Sequence, residues 1–185
     1  MPNTVRLHRV LATKPEKVYR AFLEADALAK WLPPNGFACT VHHLEPKVGG
    51  RFRMTFRNFT TGHGHSFGGE FLELIPHERL RYTDKFEDPH LAGELRVSVT
   101  LKKVSLGTEV DIVQEGIPDA IPAEACYLGW QESLRNLARL VEPDIVSDGL
   151  FDHAQRSEHR QRDRNPVRGL ERGAPHQGCR RNKQA

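Results

Sequence analysis

Apolar and polar positions alternate along much of the chain, and that pattern sets out most of its elements. Val5, Leu7, Val10 and Ala12 open with a β-favouring run. Thr13-Lys14-Pro15-Glu16 follows as a capping box, with Thr13 as N-cap and Glu16 three residues on. Val18, Tyr19, Phe22 and Leu23 fall at helical spacing, and a second short helix carries Ala27, Leu28 and Trp31 before Pro33-Pro34-Asn35-Gly36 ends it. Strand-like runs come next. Phe37 to Leu44 is the first. Phe52, Met54 and Phe56 alternate with Arg51, Arg53, Thr55 and Arg57, and Phe67 to Ile75 follows. Leu80, Tyr82, Asp84 and Phe86 share one phase against Arg79, Arg81, Thr83 and Lys85. Leu95, Val97, Val99 and Leu101 do the same, then Val110 and Ile112 after the turn at Leu106-Gly107. Short glycine-containing connections argue antiparallel hairpins. Gly68-Gly69 reads as a bulge.

A long amphipathic helix closes the pattern. Cys126, Trp130, Leu134, Leu137 and Val141 form one stripe between Pro122 and Pro143. Strand, two short helices, six strands and a long helix make an α+β unit. An antiparallel sheet of six or seven strands with one apolar face, and one apolar helix stripe, cover each other best if the sheet curves around the helix.

Composition divides the chain in two. Of 185 residues, 38% are hydrophobic and 28% charged, with a net charge of +3. Residues 1–142 carry 18 basic and 18 acidic side chains, whereas residues 143–185 carry nine and six, so the basic character belongs to the tail. A neutral folded part has no field to steer a polyanion, and nucleic-acid binding is not expected. The tail offers almost nothing to bury, so residues 143–185 are expected to be disordered, either as an arm that orders on a partner or as an extension beyond the domain. No apolar run has the ~18 residues of a membrane span. The N-terminus lacks a signal-peptide layout, which points to the cytoplasm. Edge strands leave a homodimer open.

Candidate chemistry is sparse. Cys39, Cys126 and Cys179 are too dispersed for a zinc or disulfide pattern, and Cys39 and Cys126 read as small buried hydrophobes. His63-Gly64-His65 sits at a hairpin tip and reads as a solvated loop; no metal and no cofactor are expected. Asp84 is the one acid in phase with an inner face, where burial would raise its pKa and fit it for general base work, but its place near a strand end favours solvent. No catalytic residue is assigned.

The run from Pro15 to Phe22, then Trp31-Leu32-Pro33-Pro34 with Gly36, then Val48-Gly49-Gly50-Arg51-Phe52, resembles the activator of heat shock protein 90 ATPase-like branch of the START-like (SRPBCC) superfamily. Gly69, the segment from Ile75 to Leu80, Gly107-Thr108, Glu115-Gly116 with Pro118, and Gly129-Trp130 extend the resemblance over residues 4–142. It implies the helix-grip fold, with a cavity between sheet and long helix that takes apolar or amphipathic small molecules in many relatives. Gln114 stands where relatives often have a histidine, so chemistry through that histidine is in doubt. The dedicated co-chaperone adds an N-terminal docking domain that is not expected here.

The expected lining is Trp31, Phe52, Met54, Phe56, Phe71, Tyr82, Phe86, Val97, Val99, Ile112, Trp130 and Leu134, with Tyr82, Gln114 and Arg53 as polar anchors. Binding of an apolar or amphipathic small molecule there is the favoured function, ahead of turnover. The alternatives are a cyclase- or hydrolase-like enzyme in the same cavity and a module that acts on a chaperone or regulator.

Overall fold

The structure is a computed structural model and describes residues 3–146. Most of the expected disordered tail, residues 147–185, lies outside the described residues. Seven strands form one open antiparallel sheet: β1 (Asn3–Leu11), β2 (Phe37–Leu44), β3 (Arg51–Asn58), β4 (Gly64–Ile75), β5 (Arg79–Phe86), β6 (Leu95–Val104) and β7 (Gly107–Ile117). The helices are α1 (Pro15–Ala21), α2 (Ala25–Trp31) and α3 (Ala123–Val141). The spatial order is β1-β7-β6-β5-β4-β3-β2. Consecutive strands from β2 to β7 pair as hairpins, and β1 closes on the last strand. This is the helix-grip fold.

Register sorts the inner face into rows. Leu7 pairs with Ile112, Ile112 with Val99, and Val99 with Leu80. One step along lies the row Val5, Gln114, Val97, Tyr82, Phe71. Beyond it, Leu95 pairs with Asp84, Phe86 with Phe67, and Phe67 with Met54. The opposite face is polar: Arg53 makes two hydrogen bonds to Glu87, at 2.6 and 2.9 Å, and Thr55 bonds Ser66.

The backbone of α3 comes close to β1, α1 and α2, and α2 covers β2. Leu134, Leu137, Ala138 and Val141 on the C-terminal half of α3 are buried in the core, as is Val18 of α1, which packs near β6 and β7. Trp31 is fully buried, and its indole N–H donates to Ala21 O at 2.8 Å. Ser133 Oγ lies 2.6 Å from Leu32 O, tying α3 to the end of α2.

Three local expectations need correction. The first helix is capped by Lys14 without a side-chain hydrogen bond, not by Thr13; the Thr13 carbonyl instead accepts from the Thr108 hydroxyl at 2.7 Å. That bond ties the chain just before α1 to β7. The β4–β5 irregularity falls between Phe71 and Glu73, not at Gly68-Gly69. Gly69 serves close approach: a Cβ there would stand 1.8 Å from Thr83 O. Finally, β4 starts at Gly64, so His65 belongs to the strand and is not a solvated tip.

Candidate functional site

A cavity of about 540 Å³ lies between the N-terminal half of α3 and the inner face of the sheet. Nine of the side chains expected around it are there: Phe52, Met54, Phe56, Phe71, Tyr82, Phe86, Val97, Gln114 and Trp130. Trp31, Val99, Ile112 and Leu134 are not. Val99 and Ile112 are fully buried in the row that joins Leu7 to Leu80, and Leu134 lies on the C-terminal half of α3 that is buried in the core. Trp31 is turned toward Phe22, with ring centres 4.8 Å apart. Arg53 points to the outer face and its carboxylate partner Glu87.

The strand pattern identified one wall. The other walls come from segments that fold over it: Phe22, Leu28, Leu32 and Pro34 around the short helices, Phe37 on β2, and Ile121, Ala125, Cys126, Gly129 and Ser133 at the start of α3. Phe67 and Leu95 also line it, in phase along their strands with Phe71 and Val97. Ile117 reaches the wall through a shift of register. Pairing slips by one residue between Asn3 and Val5, opposite Gly116, which takes φ +78°. The extra residue turns Ile117 inward, where strict alternation would face it outward. Partly exposed Leu32, Pro34, Phe56, His65 and Phe86, with exposed Ala125, mark the mouth.

Few polar atoms face this space. Gln114 is buried, and its Oε1 accepts from Trp130 Nε1 at 2.7 Å and from Cys126 Sγ at 2.9 Å. An indole N–H can only donate, so the amide oxygen is fixed toward α3 and the NH2 is turned away from it. Burial raises the Cys126 thiol, which stays protonated, and pushes the Cys39 thiol up to about 11. His65 is surrounded by the rings of Phe37, Phe56, Phe67 and Phe86 at 5.9–6.3 Å. Burial lowers its pKa, which keeps it neutral at pH 7.

Asp84 is the outlier. It keeps some surface because it lines the cavity, yet its Oδ1 is buried and, among the described residues, has no hydrogen-bond partner. Burial raises its pKa to about 7, against the opposing effect of a backbone hydrogen bond from Lys85. Burial also raises the Tyr82 phenol, with the Asp84 charge adding to it. Among the described residues, the lining contains no lysine or arginine.

Away from the cavity, His8, Glu109 and Asp111 meet on the exposed side of β1 and β7. His8 Nδ1 lies 2.9 Å from Asp111 Oδ1 and 3.8 Å from Glu109 Oε1, and the hydrogen bond to Asp111 raises the imidazole pKa. These groups pair with one another across the β1–β7 ladder. No helix among the described residues is long and apolar enough to cross a membrane.

Residues 12–142 match the model of a family described as activator of Hsp90 ATPase homolog 1-like protein. A solved structure from Chromobacterium violaceum is 60% identical, with a TM-score of 0.77, covering 78% of this chain and all of the other. One from Rhodobacter sphaeroides is 24% identical over 75% of this chain and 95% of its own, with a TM-score of 0.66. The AHSA1-like protein of Aeromonas hydrophila is 22% identical over 76% and 92%, with a TM-score of 0.63. The last two likenesses concern the fold alone. No curated protein matches.

Proposed function

This chain belongs to the activator of Hsp90 ATPase homolog 1-like family, and we propose that it binds an apolar or amphipathic small molecule in the cavity between the sheet and α3. The observation that carries this reading is the cavity itself. Its volume of about 540 Å³ falls in the range of roughly 300–1,000 Å³ of small-molecule sites, and its walls are mostly apolar with a few placed polar groups.

Gly129 adds support. It sits inside α3 and lines the cavity, and a Cβ built on it meets nothing within 4 Å. An interior helical glycine costs about 1 kcal/mol relative to alanine. Packing does not require that cost here; open space for a guest does.

The test uses N-phenyl-1-naphthylamine, a neutral fluorophore, titrated into the full chain. Saturable enhancement is expected, together with quenching of Trp130. Gly129→Phe projects a ring into the void and should abolish binding while the protein stays folded by circular dichroism. A folded Gly129→Phe that binds the probe unchanged would put the site elsewhere.

Asp84 favours one second reading. A cavity carboxyl with a pKa near 7 is matched to proton transfer at neutral pH, so the same space suits a cyclase- or hydrolase-like reaction. Turnover that survived Asp84→Asn, Tyr82→Phe and Gln114→Ala together would remove that reading.

A further inference from the structure

Resting on the ligand-binding reading above, we infer that the guest carries a protonated amine, seated on the unpartnered Oδ1 of Asp84 with its apolar body among the rings of Phe52, Phe71 and Phe86. The carboxyl projects from β5 with Tyr82 and Phe86 on either side of it in the same phase. Across the strand pair it meets Leu95 of β6. On the β4 side lie Phe67, Phe71 and the side-chain-free Gly69, with the Phe52 ring 5.6 Å from Phe71 and 5.7 Å from Tyr82. Among the described residues, one oxygen therefore has no protein donor, and no wall supplies a cation to provide one.

A buried acceptor without a partner is costly in the empty protein, and that cost is removed by whatever brings a donor. An ammonium brings both the donor and the opposite charge, and charge-assisted bonds are about twice as strong as neutral ones. The aromatic walls favour the same choice, because ring faces attract cations and gain most where water is excluded. A carboxylate ligand would meet repulsion from Asp84, and a neutral hydroxyl would form only the weaker bond.

The titratable groups around Asp84 leave it as the one that changes charge near neutrality. The Tyr82 phenol from β5 and the Cys126 thiol from α3 have raised pKa values and stay protonated, and burial lowers the pKa of His65 from β4, whose imidazole is neutral at pH 7. Gln114 of β7 and Trp130 of α3 do not titrate. Ammonium binding needs the ionised carboxyl, whose pKa in the empty cavity is about 7. Amine affinity should therefore rise with pH through this region, by ~30-fold between pH 5.5 and 8, with proton release on the acidic side. The affinity of a neutral guest should not rise.

Three probes of equal shape make the test: 4-phenylbutylamine, 4-phenylbutan-1-ol and 4-phenylbutanoate, titrated calorimetrically into the full chain at pH 5.5, 7 and 8. The expected result at pH 8 is an amine bound ~10- to 100-fold more tightly than the alcohol, with the carboxylate weakest. Asp84→Asn should bring the amine-to-alcohol affinity ratio down to about one and erase its pH dependence, with the circular dichroism spectrum unchanged. If alcohol and amine bind equally to the unsubstituted protein, or Asp84→Asn keeps the preference, the amine inference is overturned while the cavity remains a ligand site. If none of the three binds, and N-phenyl-1-naphthylamine fails as well, the ligand-binding reading falls with it.

Discussion

Replacing Asp84 by asparagine keeps the shape of the side chain and removes its ability to ionise, so the substitution should stabilise the empty protein at neutral and alkaline pH. In the folded state the carboxyl titrates at about 7, against an ordinary value of 3.8. An unfolded chain gives up this proton first as pH rises. Between the two values the folded state holds one proton more than the unfolded state, so stability falls with rising pH, by about 1.4 kcal/mol per pH unit. Over the span from 3.8 to about 7 the loss amounts to roughly 4 kcal/mol, constant above that range and absent below it. Water that reaches Oδ1 through the mouth reduces the figure without changing its sign. Urea unfolding of both proteins from pH 4 to 9, followed by circular dichroism, isolates this group, because other titrating residues contribute equally to each. The expected difference is near zero at pH 4, grows in favour of asparagine through pH 5 to 7, and then levels. A flat difference, or one that favours aspartate at high pH, would mean that Asp84 has a cationic or hydrogen-bonding partner in the protein, and the account of the cavity would be wrong.

Further substitutions check the packing around it. Gly129→Ala should add about 0.5–1 kcal/mol of stability, because the helix gains propensity and the methyl group meets no atom; a loss in urea unfolding would show that the space is filled. Trp130→Phe deprives Gln114 Oε1 of its 2.7 Å donor and should cost about 1–2 kcal/mol, and adding Gln114→Met should recover part of that cost in a double-mutant cycle. Leu137→Ala empties a fully buried position where α3 meets the core and should cost about 2–5 kcal/mol in the same assay. Ala125→Ser, at the exposed rim of the cavity, should change stability by less than about 0.5 kcal/mol.

Period-two alternation in β3, β5 and β6 told which side chains turn inward, and the helical stripe told the same for α3. Inward is not the same as facing the cavity. Val97 and Val99 have identical signals in sequence, yet one lines the cavity and the other is fully buried away from it. Asp84 was legible as an inward acid from its phase with Tyr82 and Phe86. Its lack of a partner was not, because that depends on what Leu95, Phe67 and α3 fail to supply. His65 shows the limit most clearly: a glycine-flanked histidine between two strands reads as loop, and only the neighbouring phenylalanines draw it into the strand.

The amino-acid order alone determined the elements, the polar and apolar faces of the sheet and the stripe of the long helix, because each follows from residues within one or two turns of each other. It also determined the hairpin succession from β2 to β7, because short connections favour antiparallel neighbours. Tertiary structure decided that β1 pairs with β7, that a slip opposite Gly116 turns Ile117 inward, and where α3 closes on the core and where it stands away. Those outcomes depend on contacts between residues about a hundred positions apart. The void exists because α3 is held at β1, α1 and α2 and spans the strands between, and no local pattern records that distance.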